Sequence, residues 1–561
     1  MKIDKILVSI LQRRFKSIAE EMSIALAMTT RSPILCEAQD FVTGLYDAKG
    51  KMLEQKENLP ILSFSLGPVC EYIIKYFGNE IYPGDVIFHN DVFSMGNQNN
   101  DVAVYKPIFY SAKGGKNKLV GWAACKGHQA DIGGAVRGGY NPQATEVWQE
   151  TLRIPPVKVY EKGKLRKDVW RLIFANIRLK MVEEDMRAQI GSCVVGERGI
   201  LSLVEKYGLD VFEAHKQYLF DATEKMMRAE IRTIPSGVYK GEATGYYDGK
   251  RPGSKYTIRT KITVKNDDIT FDYSATDPQT PGFVNGTYTS SASATMLTFL
   301  QMVNPDIPHN DGMVRPVKMI IPQGTILNAA YPAATTYGNH LCPITASAIM
   351  RALSPVIPDR VTAEWNSLLC SLTTGLDERK GEPYVDICFM GLKGGSGAIR
   401  GVDGYDHIGM IDASGGVLDQ DYEMFEQQTP HLILQHEFWT DSGGPGQWRG
   451  GLGVLTKFKL GGKGNTLVTF GEGDVEPPLG TQGGLPGTLN KMEITYPDGR
   501  VHKPTTKDLI KDVPSGTIYY QEAGGGGGLG DPKKRDRKLV AKDLQNGKIS
   551  KQSAQNIYKL D

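Results

Sequence analysis

Five consecutive glycines, Gly524 to Gly528, set the hardest constraint on what this chain can fold into. Three more dense strings precede them: Gly394-Gly395-Ser396-Gly397, Ser442-Gly443-Gly444-Pro445-Gly446 and Gly450-Gly451-Leu452-Gly453. Glycine loses more conformational freedom on folding than any other residue. Such runs stay ordered only where the chain turns tightly or another backbone comes close. The 64 glycines make about 11% of the 561 residues, against roughly 7% in ordinary usage. They show no three-residue period, which excludes a collagen-like rod. They also lack the syntax of a phosphate loop: no string sits between a strand and a helix, and no GxxxxGK(S/T) occurs. The chain is expected to carry no nucleotide site of its own and to line its sites with backbone.

A chain of 561 residues exceeds one hydrophobic core, so two to four domains are expected. Lysine and arginine total 65 and aspartate and glutamate 63, a net charge of +2 that argues against a nucleic-acid partner. The seven cysteines are scattered with no CxxC pair, against both a disulfide framework and a zinc knuckle. A reducing, cytoplasmic setting fits them. The N-terminus carries charges every few residues and no cleavage signal, and no uncharged run is long enough to span a bilayer, so no membrane partner is expected.

Apolar positions from Ile3 to Ala25 recur at helical spacing, and a hairpin is expected at Phe41–Asp47 and Lys51–Leu53. Strand-like runs follow between Asp85 and Cys125. Amphipathic helices are expected over 168–190 and 209–232, with Asp168 and Asp210 as N-caps, and Met226-Met227 reads as core or interface. Antiparallel strands follow from about residue 237 to 276, then helices near 290–302 and 343–354. The expected class is α+β: a mixed α/β N-terminal domain with a largely antiparallel-β, Gly-rich C-terminal half. The expected units are residues 1–235, 236–384, 385–530 and a polar helical tail at 531–561, with Lys533 to Lys538 a solvated surface.

The densest polar groups lie between residues 84 and 140: His89-Asn90-Asp91, Gly96 to Asp101, and Gly127 to Gly134. Each follows a strand-like run, where loops carry functional groups on a rigid frame. Carboxylates and imidazoles converging from strand ends could bind a divalent metal such as zinc or manganese. The same Asn, Asp and Gly residues could equally make turns. Glu146 and Glu150 are spaced to share a helix face, as a chemical pair or a solvated one. Gly338-Asn339-His340 precedes a helix whose N-terminus could hold an anion, or is simply a turn and cap.

Several strings together carry a resemblance: GDVIFHNDVFSMGNQNNDVAVYKPIF, KGHQADIGG, ETLRIPPVKVY, NPDIPHNDGMVRPV, DSGGPGQWRGGLGV and GGGGGLGDPKKRD. They resemble the hydantoinase B/5-oxoprolinase family, the B-type subunits of ATP-dependent hydantoinases, lactamases and ketone carboxylases, over about residues 15–550. The resemblance implies a hetero-oligomer. An A-type subunit of actin-like ATPase fold would bind ATP and magnesium and phosphorylate a small-molecule ketone or cyclic amide. The B-type chain would process the activated intermediate, with further small subunits an open addition.

Carried over by motif, the family's metal ligands fall on Asp40, Gln98 (histidine in the family), Asp101 and His128, with Gln129 in place of a second histidine. An amide oxygen is a weaker zinc ligand than imidazole, and His89 could restore one. Loss of the hydrolytic pattern favours ketone carboxylation with bicarbonate as co-substrate. His128 or Asp131 would then be the base, and Asp40, Asp101 and Asn90 would line the pocket. The rival is ATP-driven opening of a hydantoin, oxoproline or lactam; a third reading is a non-catalytic structural subunit.

Overall fold

The computed structural model describes residues 3–112 and 115–560. The chain opens with the helix Lys5–Thr29, whose first turn is closed by the Asp4 carboxylate accepting from the Ile6 and Leu7 amides. Phe15, Ile18, Met22 and Leu26 form its buried face and pack on the helix Met181–Tyr207. The two axes come close because Gly196 and Gly199 leave no room for a Cβ beside Met22 and Ile18.

Beneath these helices lies a seven-stranded sheet. Its strands are β1 (Phe41–Asp47), β2 (Met52–Glu57), β3 (Val86–His89), β4 (Asp101–Tyr110), β5 (Lys118–His128), β6 (Val157–Glu161) and β7 (Lys164–Leu165), in the order β2-β1-β5-β4-β3-β6-β7. β1, β5 and β4 are buried along most of their length, as a sheet covered on both faces requires. The second sheet is four-stranded: β8 (Gly237–Tyr246), β9 (Lys255–Lys265), β10 (Asp268–Asp272) and β11 (Val317–Ile320). In β9 burial alternates residue by residue, so one face packs inward, with the helix Cys342–Leu353 on β8 and β9, and the other meets solvent.

Nine further strands form two antiparallel sheets. They are β12 (Leu369–Asp377), β13 (Glu382–Ile387), β14 (Leu432–Phe438), β15 (Val454–Lys459), β16 (Lys463–Gly471), β17 (Lys491–Thr495), β18 (Val501–His502), β19 (Lys507–Val513) and β20 (Ile518–Ala523). The sheet orders are β13-β12-β16-β19 and β14-β15-β20-β17-β18. Helices and antiparallel sheets together make the chain α+β. One continuous cluster of buried apolar side chains runs from Leu11 to Phe470 through the first three sheets.

A buried ion pair fastens the second sheet to the third. The Lys507 ammonium donates to Glu472 at 2.7 Å and to the carbonyls of Gly471 (2.8 Å) and Tyr246 (2.9 Å). The Glu472 carboxylate also accepts from the Tyr246 amide and the Tyr256 hydroxyl.

The glycine strings interleave. A Cβ on Gly526 would lie 2.0 Å from the Ser396 carbonyl oxygen, and one on Gly450 2.0 Å from that of Gly526. The Gly526 amide donates to Gly451 and the Gly527 amide to Glu364, so the five-glycine segment runs between other backbones.

The structure corrects three of the sequence-based expectations and adds detail to two. The segment 168–190 is two helices, Lys167–Phe174 and one starting at Met181, because 175–180 turns. Asp168 and Asp210 lie in first turns; the N-cap positions are Arg166 and Gly208. The tail helices Arg537–Gln545 and Lys551–Asn556 close on a small core of Val540, Ile549, Ala554 and Tyr558. Within the basic run, Arg535 is buried, not solvated, held by Asp403 and Asp543. Met227 is core, whereas Met226 is exposed. Among the described residues no helix is long and apolar enough to cross a membrane.

Candidate active site

Three adjacent strands end at one place. β1 starts just after Asp40, β4 starts at Asp101 and β5 finishes at His128; Asp101 and His128 are cross-strand partners, and Phe41 pairs with Gly127. The His128 amide donates to the Asp40 carbonyl at 3.1 Å. Sheet register alone therefore brings two carboxylates and one imidazole together, although 88 positions separate the outer two in sequence.

The side chains are held tightly. His128 Nδ1 lies 2.9 Å from Asp101 Oδ1. Asp101 Oδ2 accepts from the Asn97 amide at 2.7 Å and the Asn339 amide at 3.0 Å. Asn97 Oδ1 in turn accepts from the buried Lys126 ammonium at 2.6 Å. The loop carrying Asn97 is fixed from outside: the Thr287 hydroxyl donates to the Asn97 carbonyl and the Thr289 hydroxyl to that of Gly96. Gln98 bridges two late-arriving residues, donating to the Tyr140 hydroxyl at 2.8 Å and accepting from Asn339 at 2.7 Å. Tyr140 lies 3.1 Å from His340 Nε2 and stacks on Phe470 at 4.2 Å between ring centres.

These groups line one cavity of about 40 Å3, room for a few water molecules and too small for an organic substrate without opening. The polar contributors are Asp40, Gln98, Asp101, His128, Tyr140, Asn339, His340 and Asp412; the rest of the wall is apolar, with Leu59, Ile61, Leu368 and Met410 among it. Burial sets the electrostatics. It pushes Asp40 up to about 7, offset by His128 and reinforced by the charge of Asp101. Burial pulls His128 down, but its bond to Asp101 and the charges of Asp40 and Asp101 outweigh that and raise it. Asp40 Oδ1 has no hydrogen-bond partner. The arrangement can hold and move a proton near neutral pH in a site that excludes bulk water.

Other residues singled out from the sequence lie elsewhere. Asp131 is locked by Arg178, whose guanidinium sits 2.9 Å away, and accepts from the Arg178 and Gly138 amides; it does not line the cavity. Asn90 splints loops, donating to the Asn99 and Leu152 carbonyls and accepting from the Ile154 amide. His89 is buried away from the cavity, and burial together with Lys126 pulls it down to about 3. Gln129 donates to Gln189 and the Gly127 carbonyl. Glu146 and Glu150 share no helix face: they flank a single 3-10 turn, and Glu150 accepts from the Thr335 and Thr336 amides.

Most of the donors expected to hold zinc or manganese are already bonded within the protein, which leaves Asp40 Oδ1 as the free oxygen of that set. Gln98 is used at both ends of its amide, His128 Nδ1 and both Asp101 oxygens are engaged, and His89 does not line the cavity. Among the described residues no group of three or more His, Cys, Asp or Glu side chains is arranged to hold a metal. Tyr140 and Asp412 had no signal in the sequence beyond a tyrosine after glycines and an aspartate in a loop.

The family model described as Hydantoinase B/oxoprolinase matches residues 4–532. The chain is 34% identical to the beta chain of a caprolactamase from Pseudomonas jessenii, over 99% of this chain and 96% of that one. It is 30% identical to the B-type chain of a putative D-/L-hydantoinase from a Pseudomonas species, covering 99% and 94%. The crystal structure of the ATP-dependent caprolactamase from P. jessenii matches with a TM-score of 0.91, covering 100% of this chain and 97% of that one. A nucleotide-free acetone carboxylase, 20% identical, matches with a TM-score of 0.90 over 99% of this chain and 79% of that one, and shows the fold alone.

Proposed function

The chain belongs to the hydantoinase B/oxoprolinase family, and on that premise we propose that it completes the ATP-dependent opening of a cyclic amide. An A-type ATPase partner would bind ATP and magnesium and phosphorylate the amide oxygen; this chain would hydrolyse the activated amide. One observation carries the reading: Asp40, Asp101 and His128 meet in a closed cavity with a free carboxylate oxygen on Asp40. Asp40, raised to about 7, takes the proton from the attacking water. His128, held by Asp101 and raised in pKa, is the cation that stabilises negative charge developing on the substrate oxygen. Asp131, tied to Arg178, has neither role. Relatives at 30% identity or more include chains of a caprolactamase and a hydantoinase, which supports an amide over a ketone.

Ketone carboxylation stays as the second reading, favoured by the departures at Gln98 and Gln129 and by an apolar wall suited to keeping water from an enolate. Bicarbonate would then be the co-substrate. Co-purification with the A-type partner separates the two. ATP turnover that requires ε-caprolactam, hydantoin or 5-oxoproline supports amide opening. Turnover that requires a ketone with bicarbonate, and ignores cyclic amides, refutes it.

A further inference from the structure

Asp412 reaches the cavity from a different part of the chain than the other polar groups. Its loop, after Gly409, is stitched onto the N-terminal region: the Ile61 amide donates to the Asp412 carbonyl at 3.2 Å and the Leu418 amide to that of Ala38 at 3.0 Å. Gly416 lies so close to the Asn58 carbonyl that a Cβ would not fit. This placement is built, and it holds the Asp412 side chain against the cavity at 2% exposure.

The carboxyl is costly where it stands. Its Oδ1 has no hydrogen-bond partner, and no ion pair compensates it among the described residues; the neighbouring charge that bears on it, Asp40, has the same sign. Burial raises it to about 7. A buried polar group left unsatisfied costs stability, and such groups persist where a ligand completes them. Every other polar group of the wall except Asp40 and His340 spends its bonding capacity on a protein neighbour.

We infer that Asp412 reads the substrate: once the cavity has widened to admit it, the free Oδ1 accepts a hydrogen bond from the N–H of a cyclic amide whose apolar ring lies against Leu59, Ile61, Met410 and Val417. The inference rests on the amide reading above and narrows it, because a ketone has no N–H to offer. The same contact serves the phosphorylated amide, whose protonated nitrogen is a stronger donor.

The test uses the complex with its A-type partner, ATP, and ε-caprolactam, hydantoin and 5-oxoproline as probes. Asp412→Leu keeps the branched shape, at somewhat larger volume, and removes the acceptor; Asp412→Asn keeps shape and volume and one acceptor oxygen. The expected result is a KM raised roughly 10- to 100-fold in Asp412→Leu on whichever probe the wild type turns over, with kcat changed far less, and partial recovery in Asp412→Asn. In the full-length chain alone, Asp412→Asn is expected to melt no lower, and Asp412→Leu somewhat higher, than wild type, since an unpaired buried carboxyl has gone. An unchanged KM, or an Asp412→Leu chain that melts below wild type, overturns the inference while leaving amide opening standing. A wild-type complex that turns over no cyclic amide overturns that reading, and this one with it, before any variant is compared.

Discussion

Asp101→Asn tests the site most directly, because the carboxylate receives three hydrogen bonds and asparagine can receive only part of them. Left in the parent orientation, the substituted side chain would still accept from His128 but would present its NH2 to the amides of Asn97 and Asn339, which now donate at 2.7 and 3.0 Å. Two bonds to a buried charged acceptor would be lost, about 1.5–3 kcal/mol each, or roughly 3–6 kcal/mol together. Flipped, the same side chain keeps both amide donors and loses only the bond to His128, about 1.5–3 kcal/mol. The flip wins. Its NH2 then faces His128 Nδ1, which must be unprotonated, so the imidazole becomes neutral with its proton on Nε2. Unfolding should therefore be easier by only about 2 kcal/mol, while kcat falls roughly 100- to 10,000-fold through loss of the cation. Denaturant unfolding of the chain and steady-state turnover of the complex between pH 5.5 and 9 read the two effects. His128 is raised in the parent and charged below its pKa, so the alkaline limb of the pH profile should move to lower pH in the variant. A kcat within threefold of wild type and an unmoved alkaline limb would refute the reasoning.

Three more outcomes follow from the packing and the buried charges. Lys507→Met should destabilise the chain by about 3–5 kcal/mol by stranding Glu472, and adding Glu472→Gln should recover part of that in chemical denaturation. Gly526→Ala should cost at least about 1–3 kcal/mol, seen as a lowered melting temperature, since its methyl would lie 2.0 Å from the Ser396 carbonyl. The third concerns pH. Burial raises Asp40, Glu54, Glu150, Asp386 and Asp412 to about 7, and a raised carboxyl contributes stability below its unfolded pKa that is lost as pH climbs through the folded one. Burial lowers His89, His340 and His431 to about 3, contributing stability above 6.5 that is lost as pH falls. The two sets oppose each other between about 4 and 6.5. Above 6.5 the carboxyls are joined by His128 and His309, both raised, and opposed by Lys126, which burial lowers to about 7. The carboxyls and histidines outnumber the one lysine, so the melting temperature should fall from pH 6.5 to 7.5; a rise would contradict the assignment of buried, raised carboxyls.

Much of the site was legible because its residues sit at strand ends. Asp101 opens a near-continuous apolar run and His128 closes one, so pattern and position agreed, and the helix Lys5–Thr29 and the hairpin after Asp40 were legible from their own local patterns. Proximity across the fold was not legible. Asn339 meets Asp101 across 238 positions and Tyr140 meets His340 across 200, and no local pattern encodes such a meeting. Asp131 misled for the same reason. Beside His128 in sequence it looks like a second proton carrier, yet Arg178, 47 positions on, claims its carboxylate. Arg535 lies in a run that reads as solvated surface, and only the return of Asp403 and Asp543 buries it. Asp412 carried no signal, since an aspartate among glycines is the ordinary residue of a turn.

The interleaved glycines have a consequence for anyone comparing related sequences. Where one backbone threads between others with no space for a methyl group, the requirement for glycine comes from shape and is indifferent to chemistry. A relative that opens a lactam and one that carboxylates a ketone would need Gly526 equally. Ranking positions by invariance would thus put this segment first and point away from the cavity. Residues that separate one reaction from another should be sought among those that vary, such as Gln98, Gln129 and the loop that presents Asp412.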